Sequence, residues 1–218
     1  MVGNDELRKK IREQLYWDAR VDALNIRVEV HDGVAKLSGE VPSQQAKRSA
    51  AYNAHAIRGI RSVENNLKVK YRGVVLNDED IAHGIKDSLM WDSDIDALKV
   101  DVEVESGVVT LKGSVDAYWK KYWAESHAGD ISGVLDVRNE LTIVPTEKVS
   151  DEVLAKEIME SLKRNMFTEP EDIDVSVSNG AVRLSGTVKS WFIKNQAIGA
   201  ASYTHGVKDV DASGLEFE

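Results

Sequence analysis

Cysteine is absent from all 218 residues, which removes disulfide frameworks, thiol catalysis, iron–sulfur clusters and thiolate zinc sites together. Proline is scarce, at 3 residues, and no apolar run approaches the roughly 18 residues of a membrane-spanning helix. No basic-then-apolar leader precedes Asn4-Asp5-Glu6. The expectation is therefore a cytoplasmic protein as written, or a periplasmic one after loss of a leader. What remains is ordinary globular composition, 42% hydrophobic and 30% charged, which excludes disorder and collagen-like structure. Asp and Glu number 37 against 28 Lys and Arg, a formal net charge of −9.

The chain repeats itself. A shift of 74 residues lays Leu7, Ile11, Leu15 and Trp17 on Ile81, Ile85, Leu89 and Trp91, and Gly33, Leu37, Gly39 and Val41 on Gly107, Leu111, Gly113 and Val115. Gly59, Val63, Asn65 and Leu67 fall on Gly133, Val137, Asn139 and Leu141. A further shift of 73 reaches Ile173, Val175, Gly180, Leu184, Gly186, Val188 and Gly206. So many ungapped matches define three copies, expected over residues 1–73, 74–147 and 148–218. Their short connectors predict that neighbouring copies touch.

Periodicity changes twice within a copy. Apolar residues at i, i+4 and i+8 (Leu7/Ile11/Leu15, Ile81/Ile85/Leu89, Leu154/Ile158/Leu162) stripe one face of a helix. Asn4, Asn77 or Ser150 stands ahead as its expected N-cap. Alternation on both sides of Asp32-Gly33, Ser106-Gly107 and Asn179-Gly180 predicts a β-hairpin. An alanine-rich helix follows, 43–57 in copy one, with Gly59, Gly133 or Gly206 expected at its C-terminal left-handed position. A last strand runs through Val63, Asn65, Leu67 and Val69 or their equivalents, and the third copy carries one extra residue before Leu215. The pattern predicts an α+β protein of three tandem two-layer α-β-β-α-β domains. Each has a three-stranded mixed sheet with two helices on one face. Trp17 and Trp91, ending the first helices, are expected to cap the core over the hairpin.

Chemistry-bearing constellations are few. There is no P-loop, G-x-G-x-x-G, G-x-S-x-G or H-E-x-x-H. His31, His55, His83, His127 and His205 occupy non-equivalent positions, whereas a repeated metal site would repeat its ligands. Asp92, Asp94, Asp96 and Glu103 imitate a calcium loop, but Ala97 stands where such a loop needs glycine, so an acidic turn is expected instead. No nucleophile, base and orienting group can be named together from the sequence, and no cofactor is implied.

Charge and aromatics carry the functional signal. Copy one holds 14 Lys and Arg against 9 Asp and Glu, giving +5, while the second and third copies stand at −10 and −4. Arg8 and Arg12 on its first helix, with Lys47 and Arg48 on its second, suit an anionic surface, the acidic second copy or plain solvation of the helix faces. Tyr118, Trp119, Tyr122 and Trp123 open the second helix of copy two, and Trp191 and Phe192 stand at the equivalent place in copy three. Aromatics interleaved with lysine suit a membrane interface, a contact between copies two and three, or a homodimer.

The hairpin pattern V-x-V-x-x-G-x-(V/A)-x-L-x-G-x-V (Val28–Val41, Val102–Val115, Val175–Val188) and the closing G-(I/V)-x-x-V-x-N at Gly59 and Gly133 resemble the BON domain. Copy three departs, with Arg164 for the tryptophan and Ala212 for the asparagine. The resemblance implies a non-enzymatic accessory module associated with phospholipid or envelope surfaces in osmotic stress. It transfers no catalytic residue, and Gly33, Gly39, Gly59, Gly107, Gly113, Gly133, Gly180, Gly186 and Gly206 read as structural. The expected partners are anionic phospholipid or envelope proteins, without nucleic acid and without a membrane span. The alternative is an oligomerisation module whose aromatic patches are buried between domains or protomers.

Overall fold

Alternating valines on either side of a two-residue turn fold back as a ribbon when both turn residues accept positive φ. Asp32 and Gly33 stand at 49° and 78°, Ser106 and Gly107 at 52° and 75°, and Asn179 and Gly180 at 54° and 81°. That combination is a type I′ turn, whose twist matches that of the strands it joins. In the computed structural model, which describes residues 3–71, 73, 76–164 and 172–217, every copy is built around this hairpin.

Copy one runs α1 (Asn4–Trp17), β1 (Ile26–His31), β2 (Val34–Val41), α2 (Gln44–His55) and β3 (Ser62–Val69). The central strand β2 pairs antiparallel with β1, Val28 opposite Leu37, and parallel with β3, Leu37 opposite Asn65. Leu7, Ile11 and Leu15 of α1 and Ala46, Ala50 and Ala54 of α2 join Val28, Val30, Ala35, Leu37 and Leu67 in one core, so both helices cover the same sheet face. The alanines let α2 lie close to the strands.

Copy two repeats the order as α3 (Asp78–Trp91), β4 (Val100–Glu105), β5 (Val108–Val115) and α4 (Tyr118–Asp130). Its last strand comes in two pieces, β6 (Asp136–Asn139) and β7 (Thr142–Ile143), both parallel to β5. Copy three has α5 (Asp151–Arg164), β8 (Ile173–Ser178), β9 (Ala181–Val188), α6 (Trp191–Ser202) and β10 (Asp209–Phe217), with β9 central. The register of β10 on β9 slips by one between Asp211 and Gly214, where the extra residue of copy three is absorbed as a bulge. These are three mixed sheets, each with two helices.

Three expectations are corrected. Asn4 is not an N-cap: Gly3 holds that position without a side-chain bond, and Asn4 is already helical. Asn77 does cap, accepting the Asp80 N–H at 2.8 Å. Asn4 instead aligns with Asp78 and Asp151, whose carboxylates accept both N–H groups of the following hairpin turn at 2.7 and 2.9 Å. Gly59, Gly133 and Gly206 do adopt positive φ, but three to four residues beyond the helix end, in the turn leading to the last strand. Trp17 and Trp91 do not cap the core; they are 82% and 89% exposed. Each stands at the last residue of its helix, two positions past the stripe that ends at Leu15 or Leu89, and so points off the buried face.

The chain divides into two compact units, Met1–Ser93 with Asp101–Leu111 and Ala124–Glu140, and Asp94–Val100 with Lys112–Trp123 and Leu141–Glu218. The boundary passes through copy two, and α4 contributes its first turns to one unit and its remainder to the other. No helix among the described residues is long and apolar enough to cross a membrane.

Candidate functional site

Exposed apolar side chains recur at equivalent places. Trp17 and Leu24 (89% exposed) in copy one match Trp91 and Leu98 (95% exposed) in copy two. Each leucine sits on a short 3-10 turn just before the first hairpin strand, Ala23–Asn25 or Ala97–Lys99. The sequence reading missed these leucines; the recurrence of Leu24 at Leu98, outside any apolar stripe, was the available signal. In copy one the pair borders a groove of about 590 Å³ that Arg8, Lys9, Arg12 and Tyr16 also line. Tyr16 and Trp17 meet edge to face at 5.3 Å. Arg8 pairs with the exposed Asp5 at 3.0 Å and Lys9 with Glu13 at 3.8 Å, both solvent-screened pairs worth at most about 1 kcal/mol. In copy three the position of Trp91 is taken by Arg164.

Lys47 and Arg48 lie elsewhere. The Lys47 backbone carbonyl accepts the Asn65 side-chain amide at 2.9 Å, tying α2 to β3. Arg48 forms an ion pair with Asp130 of copy two, while Gln44 donates to the Leu135 carbonyl at 2.6 Å. Of the four basic candidates, Arg8 and Arg12 thus border the tryptophan groove, while Lys47 and Arg48 belong to α2, which docks on copy two.

The aromatic segment of α4 is placed against copy three. Tyr118 is buried and belongs to the apolar cluster of copy three. Burial, then the hydrogen bond with Tyr122, pushes its phenol well above the usual range. The two hydroxyls meet at 2.8 Å, and the Trp119 ring lies 6.1 Å from that of Tyr203. Tyr122 and Trp123 remain about half exposed, on an open groove of about 1350 Å³. Trp191 and Phe192 begin α6, with Phe192 44% exposed. Lys194 reaches the Leu215 carbonyl at 2.9 Å, linking α6 to β10 where copy three lacks the asparagine, and burial lowers its pKa.

One constellation has the composition of a hydrolytic triad. Ser88 Oγ lies 3.0 Å from His127 Nδ1, and His127 Nε2 lies 3.0 Å from Asp92. Copy one holds Gln14, Asn53 and Asp18 at the same three positions, Gln14 donating to Asn53 at 3.4 Å and Asn53 to Asp18 at 2.6 Å. The same chain of bonds thus links the two helices in both copies, with amides in copy one where copy two has the serine and the histidine. Asp18 is held well below the ordinary carboxylate range, chiefly by Arg20 and next by Asn53. Among the described residues no group of His, Asp and Glu is placed to hold a metal ion.

The BON domain model matches residues 3–71, 77–145 and 150–217. Osmotically-inducible protein Y of Escherichia coli (strain K12) is 32% identical over 149 residues, 64% of this chain and 74% of that protein. A 21 kDa hemolysin of Actinobacillus pleuropneumoniae is 27% identical over 118 residues, 52% of this chain and 61% of that one. Two solved structures of CdsD, a structural protein of the type III secretion system of Chlamydia trachomatis, match at TM-scores of 0.28 and 0.27 with 14% and 15% identity. They cover 98% and 100% of this chain and 92% and 100% of theirs, and at such scores the likeness bears no weight here. Three family matches spanning nearly the whole sequence, on three copies of one α-β-β-α-β fold, place this chain in the BON domain family.

Proposed function

We propose that this chain is a non-catalytic binding protein of the bacterial envelope, linked to osmotic stress, that attaches to anionic phospholipid through copy one. The stress link rests on the likeness to an osmotically-inducible protein. The lipid contact rests on one observation: Trp17 and Leu24 stand exposed beside Arg8, Lys9 and Arg12. An indole ring favours the headgroup region, an aliphatic tip favours the acyl boundary, and neighbouring cations are drawn to anionic headgroups at about 1 kcal/mol each. Copy two presents the same apolar pair at a net charge of −10, which opposes such a surface. The division of labour between copies is therefore electrostatic.

Flotation with phosphatidylglycerol-containing vesicles, against pure phosphatidylcholine vesicles, tests the reading. The full chain floats with the anionic vesicles, and less of it does so as salt rises. Reversing Arg8 and Arg12 to glutamate lowers the bound fraction by about tenfold or more, and Trp17→Ala with Leu24→Ser lowers it on both sides of the salt series. Trp91→Ala leaves it unchanged. Full retention of the Arg8/Arg12 reversal removes copy one as the lipid contact.

A further inference from the structure

Each of the first two copies docks on its successor through the same face of its second helix. In the first unit, Gln44 and Arg48 of α2 meet Leu135, Asp136 and Asp130 of copy two. In the second unit, the Tyr118 phenol faces the Val210 backbone with the Asp209 charge nearby, and the Trp119 ring lies 6.1 Å from that of Tyr203 of copy three. Tyr118 and Tyr122 are the repeat equivalents of Gln44 and Arg48, and Tyr203 and Asp209 those of Asp130 and Asp136. One contact is written twice in different side chains.

We infer that this contact is made a third time, between molecules: Trp191, Phe192 and Asn195 of one chain seat on His55, Ala56, Arg61 and Ser62 of a second copy of the chain. Trp191, Phe192 and Asn195 are the equivalents of Tyr118, Trp119 and Tyr122, and residues 55–62 are the equivalents of 129–136. Ala56, Arg58, Arg61 and Ser62 are exposed, as is Phe192. Side-chain size is matched at each step. Arg48 lies where Gly129 leaves room, since a Cβ there would stand 2.7 Å from the guanidinium. In copies two and three, Tyr122 takes the place of Arg48 and the small Ser202 that of Gly129; at the third step, the short Asn195 and the larger His55 take those places. Charge is matched as well, copy one at +5 against copy three at −4. Aromatic side chains against Arg58 and Arg61 make the pairing that dominates protein interfaces. The surfaces differ on the two sides, so the contact is heterologous and propagates from chain to chain. This inference is independent of the lipid reading.

Sedimentation of the full chain in the absence of lipid, up to about 1 mM, reads the result. The mean mass rises with concentration. Trp191→Ala with Phe192→Ala removes one side of the contact and Arg58→Glu with Arg61→Glu the other, so each variant alone stays at monomer mass. Their equimolar mixture forms a dimer and nothing larger, because one intact face of each kind remains. Circular dichroism reports folding, and Phe192→Glu, at a 44% exposed side chain, replaces the double variant if that one unfolds. A wild-type chain that stays monomeric overturns the inference, as do variants that associate like wild type or a mixture of folded variants that forms no dimer. Loss of vesicle flotation by the aromatic variant, with its self-association unchanged, assigns those rings to lipid and also overturns it.

Discussion

Copy one joins its helices through Gln14, Asn53 and Asp18; copy two does so through Ser88, His127 and Asp92. The positions are the same, yet only the second set has the residue types of a hydrolase. Both sets link the same positions of their two helices, whatever their residue types. Copy three has Ala200 at the histidine position. A residue's place in the repeated fold, more than its chemical type, sets its role here. What varies freely between copies is surface chemistry: the net charge swings from +5 to −10 over the same order of helices and strands.

The largest expected effect falls on what the copies share. Gly39 and Gly113 hold φ of 122° and 108°, and an added Cβ would stand 2.0 Å from the Asn25 carbonyl oxygen or 2.1 Å from that of Lys99. Neither backbone can yield without opening the hairpin. Gly39→Ala and Gly113→Ala are each expected to cost roughly 3–5 kcal/mol in urea denaturation. Gly33→Ala, where the nearest backbone atom is 3.1 Å from the added Cβ, costs less, about 1–2 kcal/mol. Equal effects at Gly39 and Gly33 break the claim that close approach, beyond positive φ, fixes the glycine.

A smaller effect separates the braces by pH. Asp18 is depressed in the fold by Arg20 and Asn53. Its contribution is therefore fully present above the unfolded carboxylate value of about 3.9 and is lost as pH falls through the lower folded value. Asp18→Asn is expected to cost about 1–2 kcal/mol at neutral pH, with the gap to wild type closing in acid. Denaturation curves from pH 7 down to about pH 2 measure this. A gap that does not narrow in acid assigns the loss to shape and breaks the electrostatic reading.

The repeat and the hairpins were legible because period-two alternation around a turn dipeptide leaves few foldings open, and three copies average out accidents. Strand order was not legible: the hairpin and crossover fix which strands are parallel, but whether β3 adds beside β2 or beside β1 depends on packing between elements. Trp17 was misread because composition favours burying an indole, while its azimuth two residues past Leu15 turns it outward. The docking of Tyr118 against copy three was one of three readings the aromatics allowed, because alternation with lysine suits all three equally; its place in the apolar cluster of copy three is visible only in the fold. The brace was invisible, since Gln14, Asn53 and Asp18 share no chemical label with Ser88, His127 and Asp92 until the helices are laid side by side.

The smallest expected effect bears most directly on the brace. His127→Asn restores in copy two the amide that copy one carries, and it keeps a donor and an acceptor facing Ser88 and Asp92. Its cost is expected to stay below about 1 kcal/mol, whereas His127→Ala removes the partner of Ser88 and one partner of Asp92 in a part-buried site and costs about 1–3 kcal/mol. The reciprocal Asn53→His is tolerated for the same reason. A catalytic histidine behaves oppositely: asparagine and alanine would be equally damaging to activity and nearly equal in stability. A double-mutant cycle between position 127 and Ser88 completes the comparison, because a brace couples the two in stability. Zero coupling there breaks the equivalence of the two copies.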